Sequence, residues 1–204
     1  MTPLDKLIRQ FEKFPGIGGR QAKRFAYHLL REPAEDLEEL ARLISSIKSN
    51  VVECHSCYRY YSNGHGGNLC NICGDASRDN SKLTVVGNDS DMLAIERTGL
   101  YSGHYFILGG YAPLLESKDT SKLRGGELKH IIDEKLKEGL NEIILAFAVN
   151  PDGENTGRYI QMLLKEPIET NDIKITTLGR GLSTGSELEY ADTETIKNAL
   201  INRG

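Results

Sequence analysis

Four cysteines, Cys54, Cys57, Cys70 and Cys73, are the entire cysteine content of a 204-residue chain and fall as C-x2-C-x12-C-x2-C. Two CxxC turns each offer a pair of thiolates, and the 12-residue loop between them is long enough to fold one pair back on the other around tetrahedral zinc. Disulfides would require an oxidising compartment, and a redox CxxC would not come as two copies this close together. The loop Tyr58 to Leu69 is polar, glycine-containing and short of aliphatics. Metal must therefore supply what packing cannot, on the order of 10 kcal/mol or more. Four thiolates leave no coordination position for an activated water, so the expected ion is one structural zinc per chain. His55 and His65 lie nearby and read as ordinary loop histidines. Met1 to Gln10 lacks the pattern of a signal peptide, and no apolar run is long enough to span a bilayer, so a cytoplasmic location is expected.

Before the cysteine window the chain reads as helical. Leu4, Leu7, Ile8 and Phe11 recur at the spacing of one helix face, as do Leu37, Leu40, Ala41, Ile44 and Ile47. Between them, Phe14-Pro15-Gly16-Ile17-Gly18 ends one helix and starts another with the apolar face Ala22, Phe25, Ala26, Leu29 and Leu30. Proline stops the incoming helix, and the two glycines permit backbone conformations closed to other residues and a close approach to a ligand. This pattern is the hairpin of a helix-hairpin-helix, which aims main-chain N–H groups at a nucleic-acid phosphate without reading bases. The expected DNA contacts are Gly16, Ile17, Gly18, Arg20, Lys23 and Arg24, the last three sharing a helix face at i, i+3 and i+4. Residues 1–31 hold seven cations against two anions, so a chain of net charge −4 concentrates its positive charge here.

After the window, strands alternate with helices. Leu83 to Val86, Tyr105 to Leu108, Ile143 to Val149 and Ile173 to Thr177 read as strands, the third as an uninterrupted apolar run suited to a central parallel strand. Helices are expected over Asp91 to Arg97, around Leu128, Ile131, Ile132 and Leu136, around Tyr159, Ile160, Leu163 and Leu164, and at Ile196, Ala199 and Leu200, with Asp192 or Thr193 as the cap of the last. The result is an α/β layer with a mainly parallel sheet, whose working loops belong at the carboxyl ends of the strands. Asp152 and Glu154 fall on one such loop. Two carboxylates so placed suit a hard cation such as magnesium, and they equally suit the dipole of the helix they precede. Asp89 and Asp91 are looser candidates for the same site.

Five blocks, FPGIGGRQAKRFAYHLL, CHSC…CNIC, LTVVGNDSDMLAIE, IILAFAVNPDGENTGRYI and GLSTGSELEYAD, occur in the order seen in the RecR family of bacterial recombination mediators, which the chain resembles over nearly its whole length. The resemblance implies a helix-hairpin-helix over 1–53, a C4 zinc finger over 54–73, a Toprim-like domain over 81–177 and a C-terminal assembly segment over 178–204. It also implies a non-enzymatic DNA-binding protein that acts with RecO and RecF to help load RecA at single-stranded gaps covered by single-strand-binding protein. A homodimer or homotetramer that encircles DNA as a clamp is implied as well. Arg20 and Arg24 match the family's hairpin-helix cations, and the four cysteines match its zinc ligands. Toprim proteins usually carry a glutamate directly after the first strand, where this chain has Gly87, which cannot coordinate a cation or move a proton through a side chain. The stretch Arg180 to Ser186 also departs from the family's usual HG-x-P-x-G-G. The alternative to a mediator is a magnesium-dependent phosphoryl-transfer enzyme using Asp152 and Glu154.

Overall fold

The structure, a computed structural model, describes residues 1–62, 67–112, 121–179, 181–182, 185 and 187–201. The chain divides into two compact units, Met1–Val52 and Glu53–Gly204.

In the first unit, α1 (Pro3–Phe11) begins at a reciprocal cap in which Asp5 N–H donates to Thr2 Oγ1 and Thr2 N–H donates to Asp5 Oδ2. The chain reverses over residues 12–18 and enters α2 (Gly19–Leu29). Ile8, Ala22 and Ala26 are buried between the two helices, with Leu4, Phe11 and Ile17 packed around them. Two alanines at i and i+4 let the helix backbones come close, and Phe11 covers the end of the contact edge-on to Phe25, ring centroids 5.9 Å apart. The third helix, α3 (Ala34–Asn50), forms where its apolar spacing predicts, but it buries no residue. Its stripe of Leu40, Leu43, Ile44 and Ile47 is 41–64% exposed. Periodicity reported the helix, and could not report what covers its face.

The second unit opens at Glu53, the last residue of β1 (Val51–Glu53), and β2 (Tyr60–Ser62) follows the first cysteine pair. The main sheet has four parallel strands, β3 (Asp79–Val86), β4 (Gly103–Ile107), β5 (Glu142–Ala146) and β6 (Lys174–Thr177), in the order β4-β3-β5-β6. Connecting them are α4 (Asp89–Glu96), α5 (Gly125–Lys137), α6 (Pro151–Leu163) and α7 (Lys165–Asn171), and α8 (Thr193–Ile201) closes the described chain. Side chains alternate between two faces, as a period of two requires. Leu83, Val85, Phe106, Ile143 and Leu145 pack with Leu128, Ile132 and Ile160 of α5 and α6. Val86, Tyr105, Ile107 and Ala146 pack on the opposite face with Met92 of α4 and with Cys54, Cys57, Cys70 and Ile72. Each fully buried aliphatic here contributes roughly 1.5–3 kcal/mol.

Two strand limits differ from the sequence reading by more than two residues. β3 begins at Asp79, four residues ahead of the apolar run, because its polar first half is held by main-chain pairing to which composition is blind; Asn141 N–H, for example, donates to Ser81 O at 3.0 Å. β5 stops at Ala146, three residues before the apolar run ends. The chain must leave the sheet there so that α6 can return beneath it. Gly153 comes so close that a Cβ would stand 1.9 Å from Ala148 O. Val149, the last residue of that run, is 69% exposed.

Candidate nucleic-acid interface, metal centre and strand-end loops

The hairpin of the first unit is built by main-chain hydrogen bonds. Phe14 N–H donates to Phe11 O, and Ile17 N–H donates to Phe14 O, each at 3.1 Å. Gly16 takes φ +75°, the left-handed region that only glycine enters freely. Gly18 does not need that freedom: its backbone is extended (φ −85°, ψ 168°), and a Cβ there would meet nothing within 4 Å. The expectation that both glycines serve unusual backbone angles therefore holds for Gly16 alone, and Gly18 leaves its side of the turn open. Gly18 is also the N-cap of α2, and with no side chain it cannot cap. Gln21 N–H turns back to Gly18 O at 3.0 Å, which leaves the Gly19 and Arg20 amides for water or an anion, with the Glu12 carboxylate close to Gly19. Arg20, Lys23 and Arg24 are exposed beside them, and none has an ion-pair partner among the described residues.

The four cysteines converge. Their sulfurs all lie within 4.8 Å of one another, and Cys57 Sγ is 3.6 Å from Cys70 Sγ. The two CxxC turns are built alike. Tyr58 N–H donates to Cys54 O and Gly74 N–H to Cys70 O, both at 2.9 Å, while Cys70 N–H donates to Cys54 Sγ at 3.3 Å. Hydrogen bonding from the neighbouring sulfurs, Cys57 first, holds the Cys54 thiol below its usual range. Four unbridged sulfurs at this spacing fit a tetrahedral ion with metal–sulfur bonds of about 2.3 Å. His55 is exposed and outside the cluster, and His65 lies outside the described residues. The centre is no isolated finger, since three of its cysteines are buried in the same apolar cluster as Val86 and Ile107 of the sheet.

At the carboxyl end of β3, Gly109 and Gly110 N–H both donate to Gly87 O at 3.0 Å. A Cβ on Gly87 would stand 2.9 Å from Tyr111 Cζ, so the tyrosine ring occupies the space that a side chain at 87 would need. Tyr111 Oη donates to Asp91 Oδ2 at 3.1 Å, and burial, then Asp91, pushes its hydroxyl above the usual range. Asp91 Oδ2 also accepts from Asn88 N–H at 3.1 Å, and Asp89 Oδ1 accepts from Tyr60 N–H at 2.9 Å. Both candidate acids of this loop thus have structural partners. Asp152 and Glu154 sit exposed in the first turn of α6, where Asn150 Oδ1 caps Gly153 N–H at 2.8 Å. Among the described residues the cysteines are the one cluster of three or more potential ligands; the four acids do not converge. The place of Asp152 and Glu154 in the first turn of α6 suits the dipole of that helix. Glu154 and Arg158 line a cleft of about 830 Å³ at the ends of β5 and β6.

Tyr111 and the Tyr60–Asp89 link escaped the sequence reading. A glycine at 87 with an aromatic soon after Gly109-Gly110 is the trace the first leaves; the second spans 29 residues and leaves none. Arg180, Ser183, Thr184 and Ser186, where the family's terminal motif departs, are outside the described residues. Asp192, one of two capping candidates for α8, is the one that accepts from Thr195 N–H, at 2.9 Å. No described helix is long and apolar enough to cross a membrane.

The RecR helix-hairpin-helix family model matches residues 4–48, and the RecR C-terminal model matches residues 181–203. The chain is 36% identical over 197 residues to a recombination protein RecR of Prochlorococcus marinus, covering 97% of this chain and 98% of that one. It is 38% identical over 202 residues to the protein of the same name from Chloroflexus aggregans, covering 99% and 93%. The RecR of Desulfatibacillum aliphaticivorans is 34% identical over 200 residues, covering 98% and 95%.

Proposed function

The chain belongs to the RecR family, and from that premise we propose that it is a non-enzymatic DNA-binding mediator of recombinational repair. The observation that carries the reading is the uncapped start of α2, flanked by Arg20, Lys23 and Arg24, to which no anion is paired among the described residues. Main-chain amides and cations that hold phosphates read no bases, so binding is independent of sequence. Gly16, Ile17 and Gly18 shape the turn; Arg20, Lys23 and Arg24 neutralise the backbone. The metal of the four-cysteine centre is zinc, on the grounds of an all-thiolate tetrahedral set, and it acts in folding and not in chemistry. Residues 1–53, 54–73, 81–177 and 178–204 are the helix-hairpin-helix, zinc knuckle, Toprim-like sheet domain and assembly segment of that design.

Family resemblance extends the proposal to RecO and RecF as partners and to RecA loading at single-stranded gaps held by single-strand-binding protein, in the cytoplasm. The exposed apolar stripe of α3, together with Leu200 and Ile201 of α8 at 60% and 67% exposure, supports self-association into a dimer or tetramer able to surround DNA. No bond-breaking step is assigned to Asp152 and Glu154.

Arg20→Glu with Arg24→Glu tests the reading. The double variant should lose binding to single- and double-stranded DNA alike, whatever the sequence. The slope of log K against log salt should flatten by roughly 0.7–0.9 for each phosphate that is no longer neutralised. Unchanged binding would reduce the hairpin to an ordinary turn.

A further inference from the structure

We propose that Asp89 is a positioning residue through which the metal knuckle holds the Gly87–Asp91 loop, so that the order of this strand-end loop depends on metal occupancy. The proposal rests on the reading of the cysteine cluster as a metal centre.

Among the described residues, one hydrogen bond runs from the knuckle to the sheet and one to the loop after β3. Ile107 N–H, at the end of edge strand β4, donates to Cys57 O at 2.9 Å. Tyr60 N–H, three residues after Cys57, donates to Asp89 Oδ1 at the first position of α4. Between them lies Tyr58, whose φ of +61° is costly for a residue with a Cβ and persists only where its surroundings over-determine it. They do so here. Its ring meets Phe106 edge-on at 5.3 Å, and the Arg124 guanidinium lies over it at 5.4 Å. Arg124 pairs with Glu53 and donates to Ile107 O at 3.1 Å.

The knuckle has little else to fold around. Among the described residues its buried content is three cysteines and Ile72, and these share one cluster with Val86, the last residue of β3, and Met92 of α4. Without an ion, four crowded sulfurs no longer hold the two turns together, and the Tyr60 amide loses its fixed position. Asp89 is then deprived of the Tyr60 donor, while Asp91 keeps Asn88 and Tyr111. On the sheet's other face, covered by α5 and α6, Tyr58 is the one knuckle residue among the described residues. Loosening should therefore travel to the loop and the β4 edge and stop there.

Hydrogen exchange read by mass spectrometry on the full chain tests this, comparing the metal-loaded protein, the chelated protein, Asp89→Ala and Asp89→Asn. Removing the metal should speed exchange over residues 54–62 and 86–92 by roughly tenfold or more, and over 143–163 by less than about twofold. Asp89→Ala with metal bound should speed exchange at 88–92 and at the Tyr60 amide by roughly fivefold, the worth of one hydrogen bond. Asp89→Asn, which keeps the Oδ1 acceptor, should stay near wild type. Equal acceleration over 143–163, no change at 86–92 on chelation, or a purified chain without metal would each overturn the proposal. DNA binding by Arg20→Glu/Arg24→Glu is scored separately, so failure of the mediator reading and failure of this one are distinguishable.

Discussion

Gly153→Ala should destabilise the second unit even though alanine is the better helix former. Gly153 is the third residue of α6, and a Cβ there would stand 1.9 Å from Ala148 O, 2.9 Å from its carbonyl carbon and 3.1 Å from its nitrogen. All three are backbone atoms, so no rotamer change relieves the clash. Reaching an ordinary contact of 3.4 Å means opening the first turn of α6 from the end of β5 by about 1.5 Å. That shift strains the 2.8 Å cap from Gly153 N–H to Asn150 Oδ1, worth roughly 1 kcal/mol, and the packing of buried Thr156 and Ile160 one and two turns on. Overpacking against a rigid neighbour adds roughly 1–3 kcal/mol, against a helix-propensity gain of roughly 1 kcal/mol. The net loss of about 1–3 kcal/mol should lower Tm by roughly 3–10 °C in a chain of this size. Gly157, in the same helix, is the control, because a Cβ there meets nothing within 4 Å. Gly157→Ala should leave Tm unchanged or raise it. Thermal melts followed by circular dichroism decide the matter, and a Gly153→Ala melt that overlays that of Gly157→Ala would refute the close approach.

Three further outcomes are expected. Gly87→Ala should destabilise by about 1–2 kcal/mol through the contact with Tyr111, and Tyr111→Ala in the same chain should remove most of that cost, giving a non-additive cycle by denaturant titration. Cys70→Ser should reduce metal content below one ion per chain and lower Tm, as read by metal analysis beside a melt. His104 Nε2 lies 2.8 Å from Asn80 Oδ1 and Nδ1 is buried without a partner among the described residues; burial first, then the charges of Lys135 and Arg78, holds its pKa below the usual value. The unfolded chain therefore binds a proton that the folded one resists, so this site's stabilisation is full above about pH 6.5 and is lost as pH falls through the lower folded pKa. Replacing His104 by Gln should flatten the stability profile over that acid range.

The sequence alone determined the features that are local or chemically unambiguous. Four cysteines at CxxC spacing converge as that spacing implies, and the helix-hairpin-helix follows from apolar periodicity on either side of a proline-glycine turn. The parallel order was legible in kind from alternating strand and helix patterns, with Ile143 and Leu145 in the core as their apolar run implied. Tertiary structure decided the rest. Gly18 proves to have an ordinary φ and open space beside it, while Tyr111 filling the room beside Gly87 and the Tyr60 amide holding Asp89 are contacts between segments whose separation along the chain carries no periodic signal. Composition records which groups are available; only the packed backbone decides which acid at the strand ends meets the amide of a distant segment.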